Sequence, residues 1–258
     1  LITIVCHLNL NFGDLLNYPI FQHYVKGVKY RVIPWQALGD IDEVYLGIGT
    51  LPGFHLPREW FEGKKVTLLG TGTRYFDDEW GGLNWNGFVR GSLSEKKLGL
   101  PGIGDLGLLS DRVFTRPKQR EDYTLVELDH LWINGVTPTV RDVPNPQMMQ
   151  TVRAVATIGT YGIFRLIAGA RYVVTDRLHF AITAESVGVP WVIYDHNQGG
   201  LPAVPHKFKD WTSTIGKEKF IIYDLDDTGI VEENTDFEKS SKRKYELEKA
   251  LYENIFGL

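Results

Sequence analysis

The chain has 258 residues, room for one large domain or two modest ones, and its 43% hydrophobic and 23% charged fractions are ordinary for a globular protein. A formal net charge of -4 supplies no global field for nucleic acid, so a phosphorylated ligand would need a local basic site. The single cysteine, Cys6, excludes an internal disulfide, no apolar run approaches the roughly 20 residues that span a bilayer, and there is no N-x-Ser/Thr sequon.

Strand and helix patterns alternate from the start. Residues 2–8 are β-rich and lack a basic flank, so they read as a strand and not as a signal peptide. A polar turn over residues 9–14 leads into a helix near residues 15–26. Residues 43–48 and 65–69 are compact apolar runs that end in Gly47-Ile48-Gly49-Thr50 and Gly70-Thr71-Gly72-Thr73, the pattern of buried parallel strands. Residues 88–90 form a further short strand. Ser92, with Glu95 three residues on, predicts a capping box for a helix that runs to Leu98 and stops at Gly99.

The second half repeats the alternation. Residues 124–128 predict a strand, residues 144–158 and 163–168 helices, residues 172–175 a strand, residues 178–187 a helix and residues 191–194 a strand. A last strand over residues 220–223 precedes a charged helix that starts at or just after Asp236 and ends near Phe256. The basic stretch 115–122 is the linker. The prediction is an α/β protein with mostly parallel sheets in two layers, divided into residues 1–118 and 119–258. Ligands in such folds collect outside the carboxyl ends of the strands, so the loops after Leu8, Ile48, Leu69 and Thr175 should face one cleft.

Four segments carry chemistry. Asn11-Phe12-Gly13-Asp14 places a glycine and an acid at a helix start, where Asp14 could cap the helix or meet a ligand. Val89-Arg90-Gly91-Ser92 puts an arginine at a strand end before helix N–H groups, a place for an anion or for an interdomain salt bridge. Thr175-Asp176-Arg177-Leu178-His179-Phe180 repeats the arrangement and adds a histidine, which could move a proton or simply pack. Pro205-His206-Lys207-Phe208-Lys209-Asp210-Trp211 reads as a basic-aromatic loop that could bring a cation to substrate or stay solvated. His7, His23 and His55 lack metal-ligand spacing, so no metal site is expected.

In order and spacing over roughly residues 9 to 216, these motifs resemble the polysaccharide pyruvyltransferase family, most closely its bacterial exopolysaccharide branch. The likeness also rests on Leu93-Ser94, Leu98-Gly99-Leu100-Pro101, Gly104-Asp105-Leu106-Gly107-Leu108-Leu109 and Gly188-Val189-Pro190. It implies two Rossmann-like domains arranged as in GT-B glycosyltransferases. It implies transfer of the pyruvyl group of phosphoenolpyruvate to two hydroxyls of a hexose, giving a cyclic ketal and phosphate. The family's basic residues carry over to Arg90, Arg177 and His179, and its early acid to Asp14. Phe180 stands where the family usually has glycine, and Asp176 where it often has Ser or Thr.

On this reading His179 transfers the proton and Asp14 acts as base or orients the acceptor, beside Asn11. Arg90, Arg177, Lys207 and Lys209 hold phosphoenolpyruvate, which is the donor substrate, and no cofactor or metal is needed. The acceptor is a sugar of the lipid-linked kind, reached from the cytoplasm at the inner face of the membrane, and no nucleic acid takes part. A GT-B-type glycosyltransferase using a nucleotide sugar shares the architecture. A sugar-binding module is the third reading, because seven tryptophans could stack on sugars or fill cores.

Overall fold

The computed structural model describes residues 1–7, 11–37, 39, 41–50, 56, 58–73, 80, 83–128, 146–149, 151–194, 203–216, 222–223 and 237–257. Leu8, the start of the polar turn, His55, residues 144–145, Phe220 and Asp236 lie outside them. The described strands form two five-stranded sheets. The first holds β1 (Ile2–Cys6), β2 (Tyr30–Pro34), β3 (Glu43–Leu46), β4 (Lys65–Thr71) and β5 (Trp85–Val89), in the order β2-β1-β3-β4-β5. The second holds β6 (Thr124–Glu127), β7 (Pro146–Met149), β8 (Tyr172–Thr175), β9 (Trp191–Tyr194) and β10 (Ile222–Tyr223), in the order β10-β9-β8-β6-β7. All the described pairings are parallel, as expected of an α/β protein, so the carboxyl ends within each sheet open on one edge.

Helices fill the spaces between strands: α1 (Phe12–Leu15), α2 (Asn17–Tyr24), α3 (Arg58–Phe61), α4 (Ser92–Leu98), α5 (Ser110–Val113), α6 (Thr151–Gly169), α7 (Leu178–Val187), α8 (Ala203–Thr212) and α9 (Phe237–Phe256). A 3-10 turn, Leu106–Leu109, precedes α5. Successive strand residues point to opposite faces, and β1 shows the result. Val5 joins Val44, Leu46, Phe61, Leu68 and Trp80 in a core on one side of the first sheet. Ile4 joins a larger core that takes in Phe12, Leu106, Phe164, Phe180 and Trp191, so apolar packing runs without a break from the first half to the second. Phe12 of α1 meets Phe180 of α7 edge to face, with centroids 5.2 Å apart. Such a pair contributes about 0.5–1.5 kcal/mol beyond its area.

The C-terminal helix α9 ties the halves further. Leu247 packs where Gly104 leaves room, and the Tyr24 hydroxyl of α2 donates to Glu248 Oε1 at 2.7 Å. Lys244 Nζ donates to Asp111 Oδ2 at 2.9 Å and to the Ser186 carbonyl at 2.6 Å. The predicted linker is itself engaged. Arg116 and Arg120 donate to the Ser186, Val187 and Gly188 carbonyls, placing cations at the negative end of α7.

Several expectations are corrected. Residues 146–149 are a strand, not the start of a helix; Pro146 opens β7 at the edge of its sheet, where a missing N–H is tolerated. The helices predicted over residues 144–158 and 163–168 do meet as two, at a kink within α6 where Gly159 has a non-helical φ of 64° and ψ of 179°. The segment expected as a basic-aromatic loop is α8. The Ser92/Glu95 capping box does not form: Gly91 is the N-cap of α4, and Glu95 Oε2 accepts from the Gly102 N–H at 3.2 Å. The cap comes instead from α8. Asp210 Oδ1 accepts from the Leu93 and Ser94 N–H groups at 3.0 and 2.9 Å, and Ser94 Oγ donates to Asp210 Oδ2 at 2.6 Å. The anion at that helix start is therefore a buried side chain of the second half.

Candidate functional site

The site is built where loops from both sheets meet. After β1 the chain turns through Asn11, whose Oδ1 accepts the Gly13 N–H at 2.9 Å and caps α1. Asp14 follows in the first turn, mostly buried, with Oδ2 3.7 Å from His7 Nδ1. Asn17 clamps the loop after β3: Oδ1 accepts the Ile48 N–H at 2.8 Å, and Nδ2 donates to the carbonyls of Ile48 at 3.0 Å and Asp14 at 2.8 Å. That brings Gly49 against Asp14, where an added Cβ would lie 3.3 Å from Asp14 Oδ1. The Gly49 carbonyl in turn accepts from Gly72 N, Thr71 Oγ1 and Arg90 Nη2, the last at 2.7 Å.

Arg90 is completely buried at the end of β5. Its Nε donates to Asp105 Oδ2 at 3.0 Å, and its Nη1 lies against Gly72 with no hydrogen-bond partner among the described residues. His179, on the first turn of α7 and 13% exposed, brings Nε2 to 3.4 Å from the same Asp105 oxygen, an ion-pair distance. The other ring nitrogen faces the first half: a Cβ on Gly13 would fall 1.9 Å from His179 Nδ1. Arg90 is thus linked to Asp14 through Gly49 and to His179 through Asp105, and His179 packs on Gly13, the residue before Asp14. Sequence reasoning quoted Asp105 within a motif but assigned it no part.

Burial alone would raise the Asp105 pKa. The His179 imidazole, the Arg90 guanidinium and the Gly107 N–H outweigh it and hold the carboxyl down at about 2. The folded value lies below the ordinary 3.8, so this stabilisation is complete above pH ~4 and is lost as pH falls from about 4 to about 2. About 2 kcal/mol rides on it. Acid titration of stability should show that loss, and Asp105→Asn should flatten it. An unchanged acid limb in the variant would contradict the assignment.

Arg177 occupies a second cluster. It is the N-cap residue of α7, and its N–H donates to Thr175 Oγ1 at 2.9 Å. Thr175 Oγ1 donates to Glu127 Oε2 at 2.7 Å, and Arg177 Nε stands 3.9 Å from both Glu127 Oε1 and Asp176 Oδ1. Arg177 is 23% exposed and stands beside two buried carboxylates. Glu127, at the end of β6, was not singled out in the sequence. Lys207 is half-buried and Lys209 exposed on α8.

Cys6, at the end of β1, has its thiol pushed up to about 12 by burial and by the Asp14 charge, which makes it a poor nucleophile. The tryptophans are largely used inside: Trp80, Trp191 and Trp211 are buried, and Trp80 and Trp85 pack with Phe61, so they are not free to stack on a sugar. Trp132 lies outside the described residues. Among the described residues no group of three or more His, Cys, Asp or Glu could hold a metal ion, and no helix is long and apolar enough to cross a membrane.

The polysaccharide pyruvyl transferase family model matches residues 156–198 of this chain. The matched stretch runs from within α6 through β8, α7 and β9, and so carries Arg177, His179 and Gly188-Val189-Pro190. Comparison with curated proteins found no match. Among solved structures, the chain is similar to a protein of Klebsiella pneumoniae subsp. pneumoniae described as functionally uncharacterized. The two are 15% identical with a TM-score of 0.42, and the alignment covers 80% of this chain and 87% of the other.

Proposed function

We propose that the chain transfers the pyruvyl group of phosphoenolpyruvate onto two hydroxyls of a hexose in a surface or capsular polysaccharide precursor. The observation that carries this is the packing of His179, from the segment that matches the pyruvyl transferase family, against Gly13 of the first half and beside Asp105, the ion-pair partner of Arg90. The two sheets suit a GT-B-like arrangement divided at residues 118 and 119. On this reading the acceptor is lipid-linked and is met from the cytoplasm at the membrane face.

The chemistry fits these residues. A proton delivered to the methylene carbon of phosphoenolpyruvate leaves positive charge on the former vinyl carbon. One sugar hydroxyl adds there, phosphate departs, and a second hydroxyl closes the ketal. Of the two hydroxyl protons, one balances the new methyl group and the other leaves with phosphate. His179 supplies and recovers the first proton. Asp14 takes a hydroxyl proton or holds the acceptor with Asn11. Arg177 offers its fork to the donor's anionic groups, Arg90 adds Nη1 once an opening uncovers that buried atom, and Lys207 and Lys209 line the approach from α8.

The test is release of phosphate from phosphoenolpyruvate with a panel of hexosides. Nucleotide release from a nucleotide sugar would instead identify a glycosyltransferase, and sugar binding without turnover a binding module. Arg177→Ala should weaken phosphoenolpyruvate binding roughly ten- to a hundredfold, the loss of one charge-assisted contact, while acceptor binding stays nearly intact. Calorimetric titration checks this, and equal loss of both ligands would refute it. The proposed chemistry places no metal on the reaction path. Activity should therefore survive EDTA, and loss reversed by magnesium or manganese would show otherwise.

A further inference from the structure

We infer that Asp105 is a positioning residue that fixes the tautomer and orientation of His179 and joins it to Arg90 of the other half. The inference rests on the reading of His179 as the proton-transfer group. Asp105 comes from the loop between the two sheets, at the N-cap of the 3-10 turn. One carboxylate oxygen is committed, since Oδ1 accepts the Gly107 N–H at 2.9 Å. That fixes where Oδ2 points: it accepts from Arg90 Nε at 3.0 Å and stands at ion-pair distance, 3.4 Å, from His179 Nε2, which is buried and makes no hydrogen bond among the described residues.

Close backbone approaches hold this loop in place. Gly104 takes a φ of 148°, and a Cβ on Gly70 would lie 2.7 Å from its carbonyl oxygen. A Cβ on Gly107 would sit 3.1 Å from Asp105 Oδ1 and 3.5 Å from His179 Cδ2. The loop therefore runs between β4 and the imidazole with no room for side chains at these points.

Asp105 is fully buried and cannot touch a substrate, so any part it plays in turnover passes through its two partners. A carboxylate beside one imidazole nitrogen favours the proton on that nitrogen. Here the proton stays on Nε2, and Nδ1, the nitrogen that faces Gly13, is left to exchange protons with a ligand. Arg90 shares the same oxygen, so a shift of either half is felt by the imidazole. An ion pair that merely stabilises the fold would not fix the tautomer.

The experiment is Asp105→Asn, which keeps shape and removes charge, read by long-range proton–nitrogen NMR of the His179 ring. Wild type should show the neutral ring protonated on Nε2, and the variant should populate the Nδ1–H form. Turnover with phosphoenolpyruvate and acceptor should fall on the order of a hundredfold in Asp105→Asn. In a His179→Ala background the same substitution should change turnover by less than about twofold, because residues acting as one unit are not additive. An Nδ1–H ring in the wild type would overturn the inference without any variant. So would a folded Asp105→Asn with wild-type turnover and tautomer, or effects that multiply fully in the double variant. A wild type that shows the Nε2–H ring but releases no phosphate keeps the Asp105–His179 arrangement and overturns the pyruvyl-transfer reading.

Discussion

His179→Ala should lower turnover by a factor on the order of 10² to 10⁴, the usual worth of a positioned general acid–base group. Donor affinity should change much less, because on the proposed reading the anion-binding charge belongs to Arg177 and not to the imidazole. The ring touches Gly13 on one side and Asp105 on the other and is mostly buried. Truncation leaves a small void as well as a missing base, so melting temperature must be followed alongside rate. The two losses separate cleanly: a void lowers stability but leaves the turnover of folded protein intact. A folded His179→Ala that turns over phosphoenolpyruvate at the wild-type rate would make the histidine a packed helix-start residue.

The second large effect is on stability. Arg90→Met should cost about 3–5 kcal/mol, because it removes one member of a fully buried ion pair and leaves Asp105 with less compensation. For a chain of this size that corresponds to a fall of about 6–20 °C in melting temperature. The Gly49 carbonyl loses its Arg90 donor at the same time. Arg90→Met combined with Asp105→Leu should recover a good part of the loss, since replacing both partners with apolar groups removes the stranded charge. Thermal denaturation of the three proteins checks this. A single variant within 2 °C of wild type, a margin below one kcal/mol, would show that the pair contributes little. The outcome also bears on the donor. In the described conformation the guanidinium, Nη1 included, is buried, so a contact between Arg90 and phosphoenolpyruvate has to follow an opening of its surroundings.

The strand-to-helix handover at residues 172–187 was fully legible. Tyr172–Thr175 is apolar enough to be buried on both faces, and Gly188 marks the helix end with a φ of 73°. The Gly159 break was legible as a gap between two helical patterns, although the strand at Pro146–Met149 was not, because its alternation is too short to separate from a helix. β2 was missed for a related reason: an edge strand with an arginine and a terminal proline carries little apolar signal. The site shows the same division. Asp14, Arg90, Arg177 and His179 stand at element ends, where pattern reading locates them. Asp105, Glu127 and Asp210 gain their parts only when distant loops meet, and nothing local distinguishes them from capping or surface acids. Asp210 shows this well, because its segment looked like a solvated loop and proved to be the cap of a helix in the other half.

The most direct measurement follows the donor's carbon. Phosphoenolpyruvate labelled with carbon-13 at C2 is incubated with the protein and a hexoside acceptor, and the products are read by NMR. The account predicts that the label moves into a quaternary ketal carbon bonded to two sugar oxygens and a methyl group, with one phosphate released for each ketal formed. Label that stays in phosphoenolpyruvate while a nucleotide sugar is consumed, or that appears only as free pyruvate, would contradict it.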